Sequence, residues 1–201
     1  MTLPIKFRKQ RTRTLISHNF SDFTNGLGYV EFFMFETKDS VGAKFSILNK
    51  ALKGSSTHLI TPSSTEFTTT FGITQRMEGK VLFQVHWGFR MNGNSGTGNI
   101  VLSLEKNGVE IATVTGEDLT STTNTERTEI IEIDVPNTVF GTGDILKVKI
   151  TIAFDPNFLV NDGYWLAIDP KDTSFTPGGG WSGGSISDTV FKTNIPFKID
   201  I

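Results

Sequence analysis

GKVLFQVHWGFRMNGNSGTGNIVLSLEKNGVEIATVTG, residues 79–116, is the stretch whose reading decides the fold. In its first part Val81, Phe83, Val85, Trp87 and Phe89 fall on one side of an extended chain, with Leu82, Gln84, His86 and Arg90 on the other. That period of two marks a half-buried strand. A Gly-rich break at 92–98 follows, and the alternation resumes over 100–105 and again over 109–115. Between these two runs stands Asn107-Gly108, the residue pair that best tolerates the two positive φ angles of a type I′ hairpin turn. The register is left open. A two-residue loop sets Leu104 opposite Ile111 and Glu105 opposite Glu110, a like-charge pair with a cost, whereas a bulged three-residue loop moves every partner by one.

The same pattern extends outward. Over 144–154, Leu146, Val148, Ile150, Ile152 and Phe154 alternate with Ile145, Lys147, Lys149, Thr151 and Ala153. Shorter runs at 29–35, 44–48, 58–61, 66–71, 129–135, 164–168 and 189–201 read as further strands, separated by breaks such as 141–143 and 177–184. No segment of twelve or more residues holds a 3.6-residue apolar period, so little helix is expected. The prediction is an all-β fold, an antiparallel two-sheet jelly-roll sandwich, with an immunoglobulin-like sandwich as the alternative. At 201 residues the chain suffices for one core. Residues 21–201 are expected to form that single domain, preceded by a basic N-terminal arm at 1–20.

Charge and composition narrow the function classes. Nineteen Lys and Arg against 21 Asp and Glu leave a net charge of -2, so a nucleic-acid partner is not expected. The charge is unevenly placed: Lys6, Arg8, Lys9, Arg11 and Arg13 crowd the start, and no acid precedes Asp22. These five residues are the candidate partner-binding group, able to lie as an extended strand on an acidic protein surface. The alternative is a solvated tail. With no cysteine, disulfides, thiol catalysis and cysteine-held metals are excluded. Neither an apolar signal region nor a run of ~18 apolar residues is present, which predicts a soluble protein without signal peptide or membrane span.

Several small patterns invite a catalytic or metal-binding reading. Gly180-Trp181-Ser182-Gly183-Gly184 matches a nucleophile elbow, which needs a strand before the serine and a helix after it. Here the flanks read as loop and strand, so the stretch is taken as a glycine-rich surface loop. His18, His58 and His86 are scattered, without metal-ligand spacing; His86 belongs on the outward or inter-sheet face of its strand. Asp155, Asn157, Asn161 and Asp162 offer oxygens but match no calcium loop and read as a polar loop. Asn19-Phe20-Ser21 fits a glycosylation sequon, taken as chance without a signal peptide. No catalytic residue, cofactor or metal site is assigned, and enzymatic activity is not expected.

YVEFFMF, residues 29–35, is oily on both sides: Val30, Phe32 and Met34 face one way, Tyr29, Phe33 and Phe35 the other. Such a strand must be covered twice, by its own sandwich or by a neighbouring subunit. Tyr29, Phe33 and Phe35 are therefore the candidate subunit interface. The segment FSDFTNGLGYVEFFMF (20–35), followed by an extended, Thr-rich all-β body, resembles structural proteins of tailed-phage virions, especially jelly-roll decoration (cement) and head-fibre proteins. The hairpin GNIVLSLEKNGVEIATVTG (98–116) is also similar to the trimeric jelly rolls of the C1q and tumour-necrosis-factor type. The resemblance implies a bacteriophage virion structural protein on the capsid surface. It would form a homotrimer whose N-terminal arm clasps the major capsid protein or another virion protein. The competing expectation is a carbohydrate- or receptor-binding module using Tyr164, Trp165 and Trp181.

Overall fold

The computed structural model describes residues 27–38, 44–49, 58–60, 64–90, 95–123, 125–154, 163–168 and 192–198. Among them twelve strands form and no helix. In chain order these are β1 (Leu27–Lys38), β2 (Lys44–Asn49), β3 (His58–Ile60), β4 (Ser64–Thr70), β5 (Gln75–Arg90) and β6 (Gly96–Lys106). There follow β7 (Val109–Thr115), β8 (Leu119–Ser121), β9 (Thr125–Phe140), β10 (Ile145–Phe154), β11 (Gly163–Ile168) and β12 (Lys192–Lys198).

The strands make two antiparallel sheets in a β-sandwich. In the first, β9 pairs one edge of β5; β12 and then β11 share the other edge, and the order continues through β1 to β2, with β3 outside β11. In the second, β4, β10 and β6 lie side by side, and β7 and β8 share the far edge of β6. One parallel step, Ile47 opposite Thr68, joins the sheets on one side. On the other side β7 runs beside β9 with no ladder between them.

Alternation drives the packing. The five apolar residues of β5 from Val81 to Phe89 are fully buried, and Ile100, Leu102 and Leu104 of β6 and Leu146, Val148 and Ile150 of β10 are likewise. Burying each such side chain contributes on the order of 1.5–3 kcal/mol. Aromatic rings fill the space between the sheets: Phe89 meets Trp87 at 6.1 Å and Phe154 edge-on at 5.9 Å, while Phe71 meets Phe140 at 4.7 Å. Gly98 permits this, since a Cβ there would stand 2.8 Å from the Phe154 ring.

The hairpin settles its register by combining features of both alternatives. Asn107 and Gly108 have φ of 51° and 82°, as a type I′ turn requires. Glu105 does lie opposite Glu110, but a bulge follows, so Leu104 faces Ala112 rather than Ile111. The like-charge pair is relieved by Lys147, whose Nζ is 3.2 Å from Glu105 and 3.0 Å from Glu66. Those two carboxylates, Glu66 first, raise the Lys147 pKa above its ordinary value.

β5 and β9 outrun their sequence signal the furthest. β5 starts at Gln75, before the alternation is readable, because a bulge between Met77 and Gly79 shifts the side-chain order. Gly79, at φ 109°, supplies the backbone angle the bulge needs. Opposite it, β9 continues past Pro136 to Phe140. The proline has no N–H to lose there, because it stands in the skipped register between Val135 and Thr138 of a strand that, among the described residues, pairs on one side.

Candidate functional site

Three turns close one end of the sandwich: residues 71–74, the Asn107-Gly108 hairpin and residues 141–144. Asp144 ties them together. Its carboxylate accepts from Asn107 Nδ2 at 2.7 Å and from the Gly141 N–H at 2.7 Å, with Lys106 Nζ at 3.0 Å. Its backbone carbonyl accepts from the Phe71 N–H at 2.9 Å. Asn107 Oδ1 in turn accepts from the Ile145 N–H at 2.8 Å. The Asn107 amide, then the Gly141 N–H and Lys106, hold the Asp144 pKa down at about 2. On this braced end sit Ile73, Val109, Val139 and Ile145, each exposed to between 42 and 67%. They are four of the five exposed large hydrophobics among the described residues.

Just below, a cleft of about 500 Å³ is lined by Tyr29, Val30, Ile73, Val139 and Phe197 among others. Of the expected interface residues, Tyr29 is half-buried in this cleft, and Phe33 is only 7% exposed within the single chain. The side chain of Phe35 lies outside the described residues. So do the arm residues Lys6, Arg8, Lys9, Arg11 and Arg13, the loop at 177–184, the oxygen-rich loop at 155–162, and the side chains of Tyr164 and Trp165.

A second cleft, of about 560 Å³, opens along the seam between β7 and β9. At its base Glu129, 11% exposed, collects three donors: Trp87 Nε1 at 2.8 Å, Arg127 Nη2 at 2.6 Å and the Glu117 N–H at 2.9 Å. Arg127 Nη2 also donates to the Glu117 carbonyl at 2.9 Å. Gly116 leaves room for the carboxylate, whose Oε1 would be 2.8 Å from a Cβ there. These residues are one element of the site that the sequence reading missed. The signal was available only as the inward parity of Arg127 and Glu129 with Ile131 and Ile133.

On the outer face of the β5–β9 pair, His86 lies opposite Thr128. His86 is buried, with Nδ1 2.6 Å from Thr128 Oγ1 and Nε2 3.7 Å from Glu126 Oε2. Burial raises the Glu126 pKa above the ordinary carboxylate value. The hydroxyl and the imidazole share a hydrogen bond, while the Glu126 carboxylate stands beyond hydrogen-bond distance of Nε2. Among the described residues no group of three or more His, Asp or Glu is arranged to hold a metal ion, and no helix is long and apolar enough to cross a membrane.

No family model and no curated protein matches the chain. Solved structures do share its fold. Two structures of a CocE/NonD family hydrolase from Staphylococcus aureus superpose with TM-scores of 0.50 and 0.53 at 13% identity. They cover 85% and 86% of this chain and 37% of that chain, so the chain spans little more than a third of the hydrolase's length. The structure of infectious bursal disease virus Gt strain superposes at a TM-score of 0.28, with 14% identity over 71% of this chain and 36% of that chain, too loosely to bear on function. One expectation is corrected by these likenesses. Enzymatic activity is not expected from the sequence, for want of an assembled motif, yet the two structures that superpose at TM-scores of 0.50 and 0.53 are of a hydrolase. A sheet scaffold does not advertise chemistry in local sequence, so the missing motif excluded too much.

Proposed function

We propose that the chain is a virion structural subunit that decorates or stabilises a capsid by protein–protein binding, as a trimer on the virion surface. One observation supports this above the others: four of the five exposed large hydrophobics among the described residues gather on a single end, and that end is braced by the Asp144 knot. Clustered apolar surface marks an interaction site, and a pre-ordered one loses little conformational entropy on binding. Mass action does the rest, since a subunit that binds only the assembled lattice stabilises that lattice, and repeated contacts add through multivalency. The test is native mass by light scattering for the wild type and for the Val109→Glu, Ile145→Glu double variant, with circular dichroism as the folding control. A trimer that the folded variant fails to form is the expected result. A wild type monomeric at every concentration, at low and high salt, overturns the self-assembling subunit.

A second reading starts from the hydrolase likeness: the chain is the β-sandwich part of a hydrolase, and His86, hydrogen-bonded to Thr128 and 3.7 Å from Glu126, contributes proton transfer. Turnover of p-nitrophenyl esters that His86→Ala abolishes would support it. Equal rates for wild type and variant would sink it.

A further inference from the structure

The chain's charge is segregated both in sequence and in space. Five basic residues and no acid stand in residues 1–13, so an overall charge of -2 leaves -7 on residues 14–201. Almost all of that excess lies between 107 and 140, where Glu110, Glu117, Asp118, Glu126, Glu129, Glu132 and Asp134 face one base, Arg127. The fold gathers these acids on the two strands that flank the seam, β7 with the turn after it, and β9. Glu129 is neutralised by Arg127, and Glu132 is paired with Lys80 at 2.8 Å in a solvent-exposed contact. Glu117 keeps most of its field facing outward, being 89% exposed and 3.7 Å from Arg127, and Asp134 is exposed.

The seam also offers backbone. β9 pairs β5 along one edge and β7 pairs β6 along one edge. Among the described residues no strand is hydrogen-bonded to the second edge of either, although β9 runs for 16 residues. Between them lies the cleft, with Ile130 63% exposed on its lip. An open strand edge recruits an extended segment, and flanking side chains set its identity. Carboxylates beside an exposed isoleucine call for a basic segment with interspersed apolar residues.

We propose that the β7–β9 seam is the acceptor for residues 1–13 of a neighbouring copy, added as an extended strand along the edge of β9 that faces β7. In that segment Phe7, Lys9 and Arg11 share one face of an extended strand, as Ile130, Glu132 and Asp134 share the outer face of β9, so Phe7 supplies apolar contact for Ile130 and Lys9 and Arg11 supply cations for Glu132 and Asp134. Arm and seam are different surfaces, so the contact is head-to-tail and generates a ring or a growing array. The inference deepens the assembly reading and rests on it in taking the chain for a self-associating subunit.

The test uses the chain lacking residues 1–13 and a labelled synthetic peptide of those residues, titrated by fluorescence anisotropy. Saturable binding is expected, weakening steeply with salt and falling at least ~10-fold for the Glu117→Gln, Glu132→Gln, Asp134→Asn variant, since screening and charge removal act on the same contacts. The peptide is also expected to dissociate assemblies of the full chain. No binding, unchanged binding by the seam variant, or equal binding of a scrambled peptide of the same composition overturns the proposal. The tip variant Val109→Glu, Ile145→Glu separates the two readings: a seam acceptor binds the peptide equally well in that background, whatever happens to assembly through the tip.

Discussion

Removing the Glu129 carboxylate should destabilise the fold far more than removing Glu132 three residues along the same strand. Glu129 is 11% exposed and is the acceptor for a fully buried Trp87 indole, for Arg127 and for the Glu117 N–H. Glu129→Ala leaves the Trp87 N–H desolvated and unpaired, which costs about 1–3 kcal/mol. It also deprives Arg127, 23% exposed, of its counter-charge; breaking fully buried pairs costs about 3–5 kcal/mol, and partial exposure places this one well below that range. Together a loss of roughly 2–4 kcal/mol is expected, which for a chain of this size lowers Tm by roughly 4–16 °C. The Lys80–Glu132 pair, at 57% and 54% exposure, should cost about 0–1 kcal/mol when Glu132→Ala breaks it.

Urea unfolding followed by tryptophan fluorescence and by far-ultraviolet circular dichroism measures both variants, with unchanged m-values as the condition for comparing them. A double-mutant cycle with Trp87→Phe isolates the indole–carboxylate coupling, expected at about 0.5–3 kcal/mol. If Glu129→Ala and Glu132→Ala differ by less than about 0.5 kcal/mol, or if the coupling vanishes, Glu129 is not the hub that its geometry indicates.

Two further outcomes follow from the same structure. Asp144 has its folded-state pKa lowered to about 2 against 3.8 unfolded, so its contribution is full above about pH 4 and is lost as pH falls towards 2. The difference in unfolding free energy between wild type and Asp144→Asn should therefore shrink across that window, and a difference independent of pH would refute the assignment. Gly98→Ala drives a Cβ against the Phe154 ring, for a destabilisation of about 1–3 kcal/mol that a Phe154→Leu background relieves; a neutral substitution in the wild type would show that the ring moves freely.

The sequence by itself determined the strands that alternate cleanly and the turn between two of them. Val81 to Phe89, Ile100 to Leu104 and Leu146 to Ile152 point inward as their spacing requires, and Asn107-Gly108 makes the turn that its two residue types favour. Period two is a local property, and so is tolerance of positive φ; both are written in adjacent residues. Where the pattern broke, the local signal failed: the bulge at Gly79 hid the start of β5, and Pro136 concealed the end of β9. The candidate sites were less legible still. Asp144 and Asn107 are 37 positions apart, Trp87 and Glu129 are 42 apart, and neither pair announces itself in its own neighbourhood. Only the tertiary structure decided that β7 and β9 present their edges to one another, that Glu117, Glu129 and Glu132 line that seam, and that four exposed hydrophobics share one end. Edge pairing and sheet closure depend on which distant strands take the other hydrogen-bonding positions, and that competition is settled by the whole chain at once.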